Sequence, residues 1–170
     1  VFCSFSKVTF GGGGLAFATA GKPLFDLLAR QRASMIVCPD KVNQMRHLEF
    51  LKDKEDVLEH MIKHADIVRP KFEVAFDALD VLSSEIGNYQ KPTGGYFISY
   101  DAKRPIAKRV IELCKELGVL ITPAGSTYPH FHDPLDSNIR LAPTFLAIED
   151  LKDAMEVFVT AMMIAHKELD

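Results

Sequence analysis

Four consecutive glycines at residues 11–14 follow a lysine and a threonine, and the whole stretch lies between two apolar, β-prone runs at residues 1–5 and 15–20. This is the tightest constraint in the chain. A lysine where a buried strand ends is costly unless it stays solvated, is paired or gives up its charge, and a partly desolvated amine is a nucleophile towards carbonyls. Glycines free the backbone for close approach, and their successive N–H groups suit an anion. Lys7 and the loop behind it are therefore the first candidates for chemistry.

The rest of the chain alternates helix and strand signals. Pro23 opens a helix carrying Leu24, Leu27, Leu28 and Met35. Asp40 is placed to cap a second helix, with Val42, Met45, Leu48, Phe50 and Leu51 expected on its inner side. From Glu55 to Ile86 the apolar spacing is helical. Pro70 falls inside it, so the segment is one kinked helix or two, with Gly87-Asn88 as the stop. Beyond it, strands are expected at residues 96–100, 119–122 and 138–142. A helix on Ile106, Val110, Ile111, Cys114 and Leu117 is ended by Gly118, and a closing helix spans residues 149–169. The fold class is α/β.

Composition removes several classes of function. With 170 residues, 48% hydrophobic and 25% charged, the chain is an ordinary globular one. A net charge of −3 with scattered Lys and Arg gives no nucleic-acid track and no attraction to an anionic membrane. Cys3, Cys38 and Cys114 are isolated and odd in number, which favours a reduced, cytoplasmic setting over a disulfide framework. The abrupt opening at Val1, inside a strand-like run and without methionine, reads as the later part of a longer protein.

Arg140, inside the short apolar run Ile139-Arg140-Leu141, needs an acid partner or a place at the mouth of a site. Its planar fork suits bidentate recognition of a carboxylate, and the alternative is a salt bridge to Asp133 or Asp136. Other polar groups are weaker candidates. His130-Phe131-His132-Asp133 lacks a remote third metal ligand. His60 and His64 sit four apart on a helix with charged neighbours at Glu59 and Lys63, where an exposed face is expected. Lys41, Arg46 and His47 either reach an acidic substrate side chain or a neighbouring subunit, or simply face solvent.

Four short motifs then occur in a telling order: Ser4-Phe5-Ser6-Lys7, Pro92-Thr93-Gly94-Gly95-Tyr96-Phe97, Pro123-Ala124-Gly125-Ser126-Thr127-Tyr128 and Ile139-Arg140-Leu141. In this order they resemble the pyridoxal-phosphate-dependent aminotransferases of the class I/II family, fold type I, from end to end of the chain. Asp40-Lys41-Val42-Asn43-Gln44-Met45-Arg46-His47 and Asn138-Ile139-Arg140-Leu141-Ala142-Pro143 resemble the divergent MocR-like branch of aspartate aminotransferases.

The resemblance implies that residues 1–53 end a large pyridoxal-phosphate domain and that residues 54–170 form a bridging helix and a small α/β domain. It implies a lysine Schiff base between Lys7 and pyridoxal 5'-phosphate, phosphate contacts from Ser4 and from Ser6, and a substrate carboxylate held by Arg140. Thr9 and the loop amides are further candidates for the phosphate. Substrates would be an amino acid, with aspartate as donor, and a 2-oxo acid, and the assembly a homodimer. A lyase or decarboxylase of the same fold, or a non-catalytic effector-sensing domain of a regulator, are the alternatives. One departure stands out: many family members carry an arginine eight positions after the lysine to neutralise the phosphate, and here that position is Leu15. The residues that hold the pyridine ring are expected upstream of Val1, so the 170 residues alone are not expected to be a competent enzyme.

Overall fold

A computed structural model describes all residues, 1–170. It divides the chain into two compact units, Val1–Ala65 and Asp66–Asp170. The fold is α/β, and no helix is long and apolar enough to cross a membrane.

In the first unit, β1 (Phe2–Ser4) pairs antiparallel with β2 (Ala16–Ala18), matching Phe2 with Ala18 and Ser4 with Ala16. Residues 5–15 close the hairpin. Helix α1 (Lys22–Met35) starts on Pro23, whose missing N–H costs nothing in a first turn. Helix α2 (Lys41–Phe50) is capped as expected, with Asp40 Oδ1 accepting from the Asn43 amide at 2.9 Å. Helix α3 (Lys54–Leu79) is capped by Asp53, which accepts from the Asp56 amide at 2.9 Å, while the Asp56 carboxylate accepts from the Lys52 amide at 3.0 Å. The strands expected to be buried are exposed on every residue here, because nothing in this chain covers their faces. The expected inner face of α2 is also reversed. Val42, Met45 and Leu48 are exposed, and the one buried side chain is His47.

The second unit holds the apolar core. Pro70 sits inside one continuous α3, which ends at Leu79 rather than near Ile86. Gly87-Asn88, read as a helix stop, instead begins β3 (Gly87–Tyr89). With β4 (Ile98–Ala102) and β5 (Asn138–Leu141) it makes an antiparallel sheet in the order β3-β4-β5. Glycine is required at residue 87, since a Cβ there would lie 2.5 Å from the Tyr100 ring. Helices α4 (Ala107–Glu116) and α5 (Ile148–Lys167) pack against each other. Gly118, at φ 85°, ends the run after α4, as its position in the sequence implies. Ile98, Tyr100, Ile106, Val110, Ile139, Phe158 and Met162 are at most 1% exposed and form the centre. Residues 119–122, expected as a strand, pair with no strand of the sheet, whose order ends at β5.

Candidate functional site

The lysine lies on a single turn between the two strands of the first unit. The Phe5 carbonyl accepts from the Val8 amide at 2.9 Å and the Thr9 amide at 3.0 Å, which places exposed Lys7 at the crown of a closed turn. On its β1 side the Ser4 and Ser6 hydroxyls lie 2.7 Å apart, and Ser4 Oγ accepts from the Ser6 amide at 3.1 Å. Opposite them, Gly14 is so close to Ser6 that a Cβ would overlap the serine side chain. Two hydroxyls, an exposed lysine and a glycine loop thus follow one another within residues 4–14 of one hairpin. That donor set suits a phosphorylated carbonyl compound such as pyridoxal phosphate, with hydroxyls for the phosphate and the amine for the carbonyl.

Thr9 behaves differently from the expectation that its hydroxyl faces a phosphate. It has one hydroxyl proton, and His47 Nε2 at 2.7 Å and the Phe5 carbonyl at 3.2 Å already compete for it. His47 itself is 6% exposed, so the solvent-facing reading of this residue is corrected; Lys41 and Arg46 do face solvent. Arg46 lies over the Phe10 ring, 5.7 Å from its centroid. His60 and His64 are half-buried rather than on an exposed face: His60 Nε2 donates to the Val8 carbonyl at 2.6 Å, and the two imidazoles meet edge to face at 4.6 Å. No group of three or more metal-ligating side chains occurs.

Arg140 belongs to the second unit, opposite Ser99 in the β4–β5 ladder. Neither expected acid is its partner. Asp133 accepts from the amides of Leu135, Ser137 and Asn138 at 2.8–3.0 Å, and Asp136 accepts from the Lys108 amide at 3.2 Å. The Arg140 guanidinium instead lies over Phe97, 4.8 Å from the ring centroid, and its buried Nε has no hydrogen-bond partner. A small cavity of about 120 Å³ opens beside it, lined by Val119, Ile121, Leu146 and Met155. A cation with no acid partner, steadied by an aromatic face beside a cavity, has the chemistry to take up an anion. Its neighbour Asn138 is held at both ends of its amide, donating to Ser99 Oγ at 2.8 Å and Asp101 Oδ1 at 2.7 Å and accepting from Thr127 at 2.7 Å.

Asn43, His47, His60 and Phe97 escaped the sequence reading as supports. The four-residue spacing of Asn43 and His47 was the available signal, and the apolar stripe beside it on α2 obscured it.

The family described as aspartate amino-transferase matches residues 1–169. An aspartate aminotransferase of Corynebacterium glutamicum is 38% identical over 169 residues, covering 98% of this chain and 39% of its own. The crystal structure of an aspartate transaminase from that organism superposes with a TM-score of 0.87 at 37% identity, over 98% of this chain and 40% of that one. LysN, an α-aminoadipate aminotransferase of Thermus thermophilus solved with N-(5'-phosphopyridoxyl)-L-leucine, shares the fold at a TM-score of 0.75 and 23% identity, over 96% of this chain and 41% of its own. The HTH-type transcriptional regulator NorG of Staphylococcus aureus is 25% identical over 154 residues, 89% of this chain and 34% of its own. The chain spans about two-fifths of the length of the curated relatives it matches first.

Proposed function

Since the chain belongs to the aspartate amino-transferase family, we propose that it supplies the reactive lysine and a carboxylate-binding arginine to a pyridoxal-phosphate-dependent aminotransferase. The observation that carries this reading is the Lys7 turn: an exposed lysine directly after the paired Ser4 and Ser6 hydroxyls, followed by a glycine loop that has no room for a side chain at Gly14. When bound, the cofactor would act as the electron sink that lets an amino group move from an amino acid to a 2-oxo acid.

The chain's own residues bind and orient. Ser4 and Ser6 donate hydroxyl protons to the phosphate, and loop amides add to them, which offsets the lack of a cation at Leu15. Lys7 offers its amine to the cofactor carbonyl and afterwards holds and returns a proton. Arg140 in the second unit takes a substrate carboxylate through its fork. Thr9 contributes by holding the loop, since its hydroxyl is engaged by His47. None of the 170 residues is proposed for the pyridine nitrogen. Aspartate as amino donor draws support from the Corynebacterium glutamicum relative, and a homodimer is proposed on the same family ground.

The test is covalent. Full-length protein incubated with pyridoxal phosphate and reduced with borohydride should carry the cofactor mass on the peptide containing Lys7. Labelling confined to another lysine removes the proposal. A second reading, an effector-sensing domain of a regulator, has the NorG similarity in its favour. It predicts Lys7 labelling without conversion of aspartate to its 2-oxo acid, whereas the aminotransferase reading predicts both. Lyase chemistry would release other products from the same amino acid.

A further inference from the structure

We propose that His47 is a positioning residue for Lys7, acting through Thr9, and that with Asn43 it forms a clamp on α2 that holds both arms of the lysine–glycine loop. The inference rests on the reading of Lys7 as the reactive amine.

His47 is the one buried side chain of the first unit, and it is polar. A buried imidazole is costly unless both nitrogens are satisfied. Here both are. Nδ1 lies 2.8 Å from the Asn43 carbonyl, which can only accept, so Nδ1 carries a proton and donates it. In the neutral ring Nε2 must then accept, and the Thr9 hydroxyl at 2.7 Å is its donor. The competing Phe5 carbonyl is farther, at 3.2 Å, and is already taken by the Val8 and Thr9 amides. The turn that presents Lys7 is therefore tied to α2 at its Thr9 end.

One helical turn earlier, Asn43 Nδ2 donates to the Gly13 carbonyl at 2.8 Å and reaches the Gly14 carbonyl at 3.5 Å. Asn43 and His47, spaced four apart on one face of the helix, thus hold the returning and outgoing arms together. His60 adds a third hold at the Val8 carbonyl, 2.6 Å away. Phe10 fills the space between, edge-on to His47 at 5.1 Å and tilted against Phe50 at 5.3 Å. A lysine followed by four glycines would otherwise sample many directions, and ordering its flanks removes that entropy cost from the reacting state.

The experiment reads Lys7 itself, without turnover. In full-length protein, the rate at which pyridoxal phosphate and borohydride modify Lys7 is compared with acetic anhydride labelling of exposed Lys22 as an internal standard. His47→Leu and Thr9→Val should each slow Lys7 trapping roughly five- to tenfold, the scale of one buried hydrogen bond, with Lys22 unchanged. The double variant should be no slower than the worse single one, because both act along one path. His47→Gln, which still offers an acceptor where Nε2 lies, and Thr9→Ser, which keeps the hydroxyl, should recover most of the rate. Equal Lys7 trapping in the parent, His47→Leu and Thr9→Val proteins overturns the proposal while leaving the aminotransferase reading intact. Should His47→Leu fail to fold, Thr9→Val against Thr9→Ser decides alone, and equal rates in that pair overturn it. Parent protein trapped at a lysine other than Lys7 overturns the aminotransferase reading, and this inference with it.

Discussion

Arg140 and Gly14 show how much rests on single positions. The Arg140 fork has no acid to neutralise it, and its buried Nε is unpartnered over the Phe97 ring. Arg140→Lys keeps the charge and loses the planar pair of donors. In the full-length protein it should weaken amino-acid and 2-oxo-acid substrates by about 1.5–3 kcal/mol, seen as a rise in KM, while Lys7 trapping by borohydride stays at the parental rate. Unchanged substrate kinetics would return Arg140 to a structural role. At Gly14 the constraint is steric. A methyl group there overlaps the Ser6 side chain and lies 2.6 Å from the Ser6 Cα. Gly14→Ala should push the loop off Ser4 and Ser6 and weaken pyridoxal phosphate markedly in an absorbance titration. Gly11→Ala, where a Cβ meets nothing within 4 Å, should not.

Among the elements, α2 and β5 depend on carboxylates at their approaches. Asp40 caps α2, so Asp40→Ala should cost about 1 kcal/mol in a denaturant titration and loosen the Asn43–His47 clamp with it. Asp133 organises the loop that delivers Asn138 and Arg140. Burial alone would raise its pKa, but the amides of Asn138, Leu135, Ser137 and Asp136 hold the charged form and bring it below the ordinary 3.8. A carboxyl that is more acidic folded than unfolded stabilises the fold above its unfolded pKa, and that stabilisation is lost as pH falls through the lower folded value. Asp133→Asn keeps an acceptor oxygen but no charge. Its stability deficit should be full at neutral pH and shrink steadily below about pH 4, as measured by denaturant titrations across that range. A deficit independent of pH would assign the loop's order to hydrogen-bond geometry alone.

At the scale of the whole molecule, the two units differ in what they bury. The apolar core lies in Asp66–Asp170, from Phe72 to Ala165, while the first unit buries only His47 and leaves Phe2 78% and Val37 100% exposed. In the 170-residue chain on its own, amide exchange should be slow at Tyr100, Ile139 and Met162 and fast along β1 and β2, because protection follows burial and cooperative contact. Slow exchange throughout residues 2–4 and 16–18 of the monomer would contradict this.

The sequence by itself determined what depends on neighbours along the chain. Asp40 and Pro23 begin their helices where expected, Gly118 ends its run, and the period of Leu151, Met155, Phe158 and Met162 makes one buried face of α5. The order of four short motifs singled out Lys7 and Arg140 as candidates. Tertiary structure alone decided which side of α2 turns inward: Asn43 and His47 find backbone and hydroxyl partners in the lysine loop, and Val42, Met45 and Leu48 find nothing to cover them. It also decided that residues 87–89 form a strand and residues 119–122 do not. The strand at residues 87–89 depends on the row of amides and carbonyls that β4 offers it, which a residue's own neighbours in the chain do not specify.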